Sequence, residues 1–146
     1  MSAGLPEYLK PIAFVAPMII RLALGIIFMA HGAQKLFGAF GGPGMGGTAQ
    51  FLGSLGVRPG AFWAWVVALA EFFGGLGILL GLLTGVASIV IIIDMLVAIA
   101  LVHGKNGFFI TNTGYEYNVA LILMALSLVF SGPGPLALDR LIHFPF

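Results

Sequence analysis

Long apolar runs broken by short glycine- and proline-rich stretches make up most of this chain. The first run covers residues 17–37, about the 20 residues that a 30 Å hydrocarbon core requires. It is too long for a signal-peptide core and no small-residue cleavage site follows it, so it reads as a retained membrane helix. Pro17 fits its first turn, where the amide has no helical partner. Ahead of it, residues 5–16 carry Glu7, Tyr8, Lys10 and Pro11, which suits a short segment lying at the interface. A second apolar tract, residues 61–102, would be about 60 Å long as one helix, twice the thickness of the core. It must fold back, and Gly81-Leu82-Leu83-Thr84-Gly85 is the natural hairpin. Spans are therefore predicted over 61–80 and 86–104, and a fourth over 115–131, which stops at Gly132-Pro133-Gly134-Pro135. The expectation is an all-α, four-helix membrane bundle formed by residues 1–146 as one domain.

Composition supports the same picture: 60% of residues are hydrophobic and only 8% charged, far too little charge to cover a water-soluble domain. A net charge of +1 leaves no basic surplus for phosphates, so nucleic acid is not expected as a partner. The absence of cysteine excludes disulfides, iron–sulfur ligation and dithiol relays. Redox chemistry here would depend on a bound cofactor or a partner. Trp63, Trp65, Tyr115 and Tyr117 fit an aromatic belt on the side that carries the two substantial loops. The loop over 38–59 contains a glycine-rich run at 38–47 but lacks the strand and lysine context of a phosphate loop. It reads as a mobile or tightly turned connector. Lys10, Arg21 and Arg140 flank one side of the bilayer and Lys35, Arg58 and Lys105 the other, so the positive-inside count is tied.

Ionisable groups at membrane depth are costly, and each is a candidate for function. Arg21, His31 and Lys35 fall on one seam of the first span at about 100° per residue, together with Gly25, Phe28 and Gly32. Arg21 and Lys35 have a bland explanation in snorkelling to the interface; His31 has none. Glu71 lies near the centre of the second span on a face lined by Ala64, Ala68, Gly74 and Gly75, so it is expected to point into the bundle. Asp94 is equally central in the third span. His103 ends that span and Glu116 opens the fourth. An ideal helix puts Asp94 and His103 on opposite faces, and both face the centre only if the helix end unwinds. By depth, Lys35, His103 and Glu116 form an outer shell, His31 lies a turn deeper, and Glu71 with Asp94 sits at the midplane. That funnel reads either as a pocket for a polar headgroup, with histidine and carboxylate exchanging protons, or as interhelical bonds that only brace the bundle. His31 and His103 differ in depth, which is awkward for a haem axial pair, and no ligands share the spacing of a metal motif. No metal and no covalent cofactor are predicted. His143 reads as a surface residue.

The chain resembles the DoxX family of small four-helix membrane proteins. The resemblance rests on His31-Gly32-Ala33-Gln34-Lys35-Leu36-Phe37-Gly38, on Glu71 followed by Gly74 and Gly75, and on His103 followed by Gly107-Phe108-Phe109. It continues through Glu116-Tyr117 and Ser131-Gly132-Pro133-Gly134 with Leu138-Asp139. It implies a bacterial or archaeal inner-membrane protein with cytoplasmic termini. It also implies an association with quinone-linked respiration, including thiosulfate:quinone oxidoreduction, or with assemblies handling thiol and oxidative stress.

The leading expectation is a quinone-interacting subunit that works with membrane or soluble redox partners. His31 and Glu71 would transfer protons, while Lys35, His103, Glu116, Asp94 and Arg21 contact the ligand. The alternatives are a non-catalytic anchor for soluble redox enzymes and a small-solute or proton transporter; four short spans without duplication fit the last only as a homo-oligomer. For topology, cysteines introduced at Gly46 and Asn112 should be labelled from the same, periplasmic face and one at His143 should not. Labelling of Gly46 and Asn112 from opposite faces would eliminate the four-span arrangement.

Overall fold

The computed structural model describes residues 6–9 and 15–142, and every element found among them is helical. Helix α1, Ala16–Phe37, has 22 residues, about 33 Å and sufficient to cross the core. Pro17 lies in its first turn and Gly38 closes it at φ 66°, a left-handed cap that glycine adopts without strain. Helix α2 is Gly44–Ser54. Helix α3, Gly60–Leu80, ends at Gly81 with φ 67°, which is the hairpin expected there. Helix α4, Thr84–Ala98, continues through wider π-helical turns over Ile99–His103. Helix α5, Glu116–Ser131, is about 24 Å long and is followed by the short α6, Leu138–Leu141. Helices α1 and α3 and the continuous stretch Thr84–Asn106 are each long and apolar enough to span a bilayer, with α5 as a shorter apolar helix. Of the interfacial segment expected over 5–16, Glu7–Leu9 forms a single 3-10 turn, while residues 5 and 10–14 lie outside the described residues. His143 lies outside them as well.

Helix α2 is a departure from expectation, since residues 38–59 read as a connector. Glycines at 44, 46, 47 and 53 lower helix propensity by about 1 kcal/mol each, yet Thr48, Leu52 and Leu55 follow at helical spacing. Tertiary packing supplies what propensity lacks, because α2 rests on α1 and α3. Gly60 makes the fit possible: a Cβ there would come within 2.5 Å of the Ala49 carbonyl oxygen.

The four long helices form a ring in the order α1, α3, α4, α5 and back to α1, with the α1–α3 pair the most extensively packed. Bilayers provide no hydrophobic drive for helices to associate, so close approach through small residues takes its place. A Cβ on Gly32 would lie 2.5 Å from the Phe72 amide nitrogen, one on Gly75 2.6 Å from that of Met29, and one on Gly25 2.6 Å from the Leu79 Cβ. These pairs run antiparallel and fix the register between the two helices. Leu24, Ile78, Ile91 and Leu128 fill the core in the half of the bundle near the termini, with Phe28 and Leu121 of the same cluster closer to its middle. Ile19, Ile26, Phe73, Ile93 and Leu123 are exposed and form the surface offered to lipid.

At the terminal side the bundle is tied by two buried polar groups. Arg21 is 3% exposed. Its Nε donates to the Ile78 carbonyl, Nη1 to Pro133 and Pro135, and Nη2 to Leu79, at 2.9 to 3.2 Å; Nη2 also reaches Leu136 at 3.5 Å. All five guanidinium N–H groups are thus directed at carbonyls. Asp139 accepts from the Leu83 and Thr84 amides and the Thr84 hydroxyl, capping α4 from a distant segment.

If glycine contact sets the α1–α3 spacing, Gly32→Val should cost about 2 kcal/mol or more by overpacking in reversible unfolding in mixed detergent micelles. Gly46→Ala is the control: a Cβ there meets nothing within 4 Å, and the change should cause no loss, with a gain of up to about 1 kcal/mol from helix propensity.

Candidate functional site

Above the packed core, toward the loops, the ring opens into a cavity of about 510 Å³, within the range of small-molecule sites. Phe28, Met95 and Leu121 of the core reach its floor, and Thr48, Leu52 and Leu55 of α2 line it from the loop side. Its polar groups are few. Lys35 Nζ bonds Glu71 Oε2 at 2.5 Å, with the two side chains 21% and 7% exposed. Lys35 therefore turns inward rather than snorkelling, because the α1–α3 register sets it opposite a buried carboxylate. Glu71 points into the bundle from the small-residue face of α3, where Ala64 and Ala68 are fully buried.

Asp94 lines the same cavity, interacts electrostatically with both Glu71 and Lys35, and has its carboxyl group within hydrogen-bonding reach of that of Glu71, with which it can share a proton. Its Oδ2 is buried and has no hydrogen-bond partner among the described residues. Two carboxyl groups thus share one ammonium, and a buried acceptor without a donor is an energetic liability that a ligand or water can relieve.

His31 also lines the cavity, exposed at its rim. His103 reaches it from the π-helical turns, where the slower angular advance brings the histidine round toward the side of Asp94. His103 Nδ1 lies 2.8 Å from the Thr113 carbonyl oxygen. A carbonyl only accepts, so Nδ1 carries the hydrogen, and Nε2 of the neutral ring is left as a proton acceptor.

His31, Lys35, Glu71, Asp94 and His103 are therefore brought together around one cavity. Two of the residues grouped with them from the sequence lie elsewhere. Arg21 sits at the opposite end, the side of the bilayer expected for it, but its donors are occupied by backbone carbonyls and none is left for a ligand. Glu116 accepts from the Ile110 amide at 2.6 Å and does not line the cavity; it holds the loop over 107–114 against α5. Unforeseen contributors are Thr48, Tyr117 and Asn118. Asn118 is 5% exposed and donates to the Met95 sulfur at 3.3 Å. A signal for it existed, since an amide three residues ahead of Leu121 shares the inward face of α5 with Ala125 and Leu128. Among the described residues no three histidine or acidic side chains are arranged to hold a metal ion.

The Lys35–Glu71 pair is separable by substitution. Lys35→Met should destabilise the protein by about 3 kcal/mol or more, because it strands a buried carboxylate. Lys35→Met with Glu71→Leu should recover most of that loss, and a double-mutant cycle on unfolding free energy measures the coupling. Additive losses would mean that the pair is not coupled.

Comparison with known proteins agrees with this architecture. The family model described as DoxX matches residues 16–104. "Putative oxidoreductase CatD" of Bacillus subtilis is 34% identical over 125 residues, covering 86% of this chain and 85% of the relative. "Uncharacterized membrane protein Rv3486" of Mycobacterium tuberculosis is 33% identical over 131 residues, 83% of this chain and 77% of the relative. "Inner membrane protein YqjF" of Escherichia coli is 30% identical over 135 residues, 92% of this chain and 98% of the relative. No solved structure matches the chain. Helical architecture, extent of the match and coverage of relatives lead to one conclusion: the chain is a multi-pass membrane protein of the DoxX family.

Proposed function

We propose that the cavity binds the headgroup of a membrane quinone and that its ionisable side chains move the protons of a quinone-linked redox system. The observation that carries this reading is the unpartnered Asp94 Oδ2 beside the Lys35–Glu71 pair in an otherwise largely apolar cavity. A quinol hydroxyl is a donor for such an acceptor, and a quinone carbonyl is an acceptor for the lysine ammonium or a histidine N–H. Reduction of a quinone takes two electrons and two protons. The electrons come from a redox partner protein, since the chain has no cysteine and carries no redox centre of its own in this reading. The protons pass through Glu71 and His31, with Lys35, Asp94 and His103 orienting the ring. Glu116 positions the loop over the site instead of contacting the ligand, and Arg21 takes no part. The name of the Bacillus subtilis relative, which includes oxidoreductase, lends support at the level of reaction class. The loop side faces the periplasm in this reading, with the termini in the cytoplasm.

Protein purified in mild detergent should yield stoichiometric quinone on solvent extraction. Glu71→Gln should keep the fold, since Asp94 remains near the Lys35 ammonium as a counter-charge, and should keep the bound quinone while abolishing quinone-dependent turnover, because an amide preserves hydrogen-bonding shape but cannot complete a proton cycle. Full activity in Glu71→Gln would remove the proton role. Absence of quinone, together with unchanged docking of redox enzymes in the cavity variants, would make the protein a membrane scaffold instead.

A further inference from the structure

The cavity wall changes character around its circumference. On a membrane helix, a residue that lines an internal cavity and is also substantially exposed stands at a lip where the cavity meets the surroundings of the bundle. Phe51 of α2 is 50% exposed, Val97 of α4 44%, and Leu101 in the π-helical turns 37%, and all three line the cavity. Leu55 and Ala98, partly buried, lie beside them. This lip is apolar throughout, and it begins one helical turn from Asp94. It exists because α2 seats on α1 and α3 and makes no substantial packing contact with α4, while α4 leaves regular α-helical winding at that level. The exposed residues toward α1 and α5 are mostly of another kind: His31, Thr113 and Tyr117 carry polar groups.

We infer that the gap between α2 and α4 is a lateral slot, through which the apolar tail of a ring-headed amphiphile passes from the cavity into the bilayer. The inference rests on the quinone reading and deepens it by naming the ligand class as a quinone with a prenyl or alkyl tail, exchanging sideways with the membrane pool. Three observations favour a tail as the occupant. The slot is lined by Phe, Val and Leu with no hydrogen-bonding side chain. Val97 and Leu101 belong to the apolar stretch Thr84–Asn106, which is long enough to span a bilayer, so their exposed side chains are suited to apolar chains. The slot also leads directly to the buried acceptor, so head and tail have adjacent, chemically matched places. A cavity of about 510 Å³ suits a ring with a short stub, and a long tail has to leave it.

The test compares two probes in proteoliposomes, a benzoquinone with a decyl chain and the same ring with only a methyl group, each at known membrane concentration. The wild-type protein should bind both with similar affinity, because the decyl tail stays in lipid-like surroundings whether the ring is bound or free. Val97→Phe narrows the slot and should weaken binding of the decyl probe about tenfold relative to binding of the methyl probe, the scale of a modest overpacking penalty. Leu101→Phe should do the same independently. Retained methyl-probe binding reports that each variant is folded. Equal binding of both probes by both variants, or equal loss of both, would overturn the slot. Failure of the wild-type protein to bind either probe would instead overturn the quinone reading, and the inference with it.

Discussion

Contact between the backbones of α1 and α3 is the constraint on which the remaining architecture depends. In a bilayer, apolar side chains gain nothing by exchanging lipid for one another, so two helices hold together where small residues let their surfaces mesh. Gly25, Gly32 and Gly75 provide that surface, and the resulting register brings Lys35 level with Glu71. With this pair of helices closely joined, α4 and α5 complete the ring against bulkier side chains. Leucine and isoleucine fill the space in the terminal half. The loop half is left hollow, roofed in part by a helix that itself docks through a glycine.

The two ends of the bundle treat buried charge in opposite ways. Arg21 has an acceptor for every N–H, and Asp139 is met by two amides and a hydroxyl, so both are consumed by structure. Asp94 keeps a buried oxygen without a partner. Polar groups inside a membrane protein are expensive; among the described residues two buried side-chain oxygens lack a partner, Ser88 Oγ and Asp94 Oδ2, and only the second is ionisable, so it marks the place where chemistry is to be sought. Burial alone does not separate the two cases, since Arg21 and Glu71 are 3% and 5% exposed. What separates them is whether the backbone has already claimed the side chain.

Much of this was legible in the sequence. Apolar run length located the spans, Gly81 marked the hairpin, and the alanines and glycines around Glu71 announced its inward orientation. Three features were not legible, each for a physical reason. Helix α2 is helical because it lies on two other helices, and its glycine content hides the spacing of Thr48, Leu52 and Leu55. The π-helical turns that carry His103 round alter the phase of α4, which a constant 100° projection cannot register. Arg21 projects onto the same seam as His31 and Lys35, but its partners at Pro133 and Pro135 are more than a hundred residues away, beyond any local pattern.

That last separation has a consequence for how the protein is made. Arg21 enters the membrane with the first helix, and the carbonyls of Ile78 and Leu79 become available only after the hairpin between α3 and α4 forms. Those of Pro133, Pro135 and Leu136 arrive after all four long helices have been synthesised. Until α3 is in place the guanidinium has only water, headgroups or the insertion machinery to solvate it, and until the segment over 133–136 follows, Nη1 lacks its acceptors. An unfinished or broken chain keeps a bare cation near the edge of the hydrocarbon, whereas a completed one conceals it. The same arginine that locks the mature bundle is thus a buried group satisfied in full only late, and the segment over 133–136 is what completes its set of acceptors.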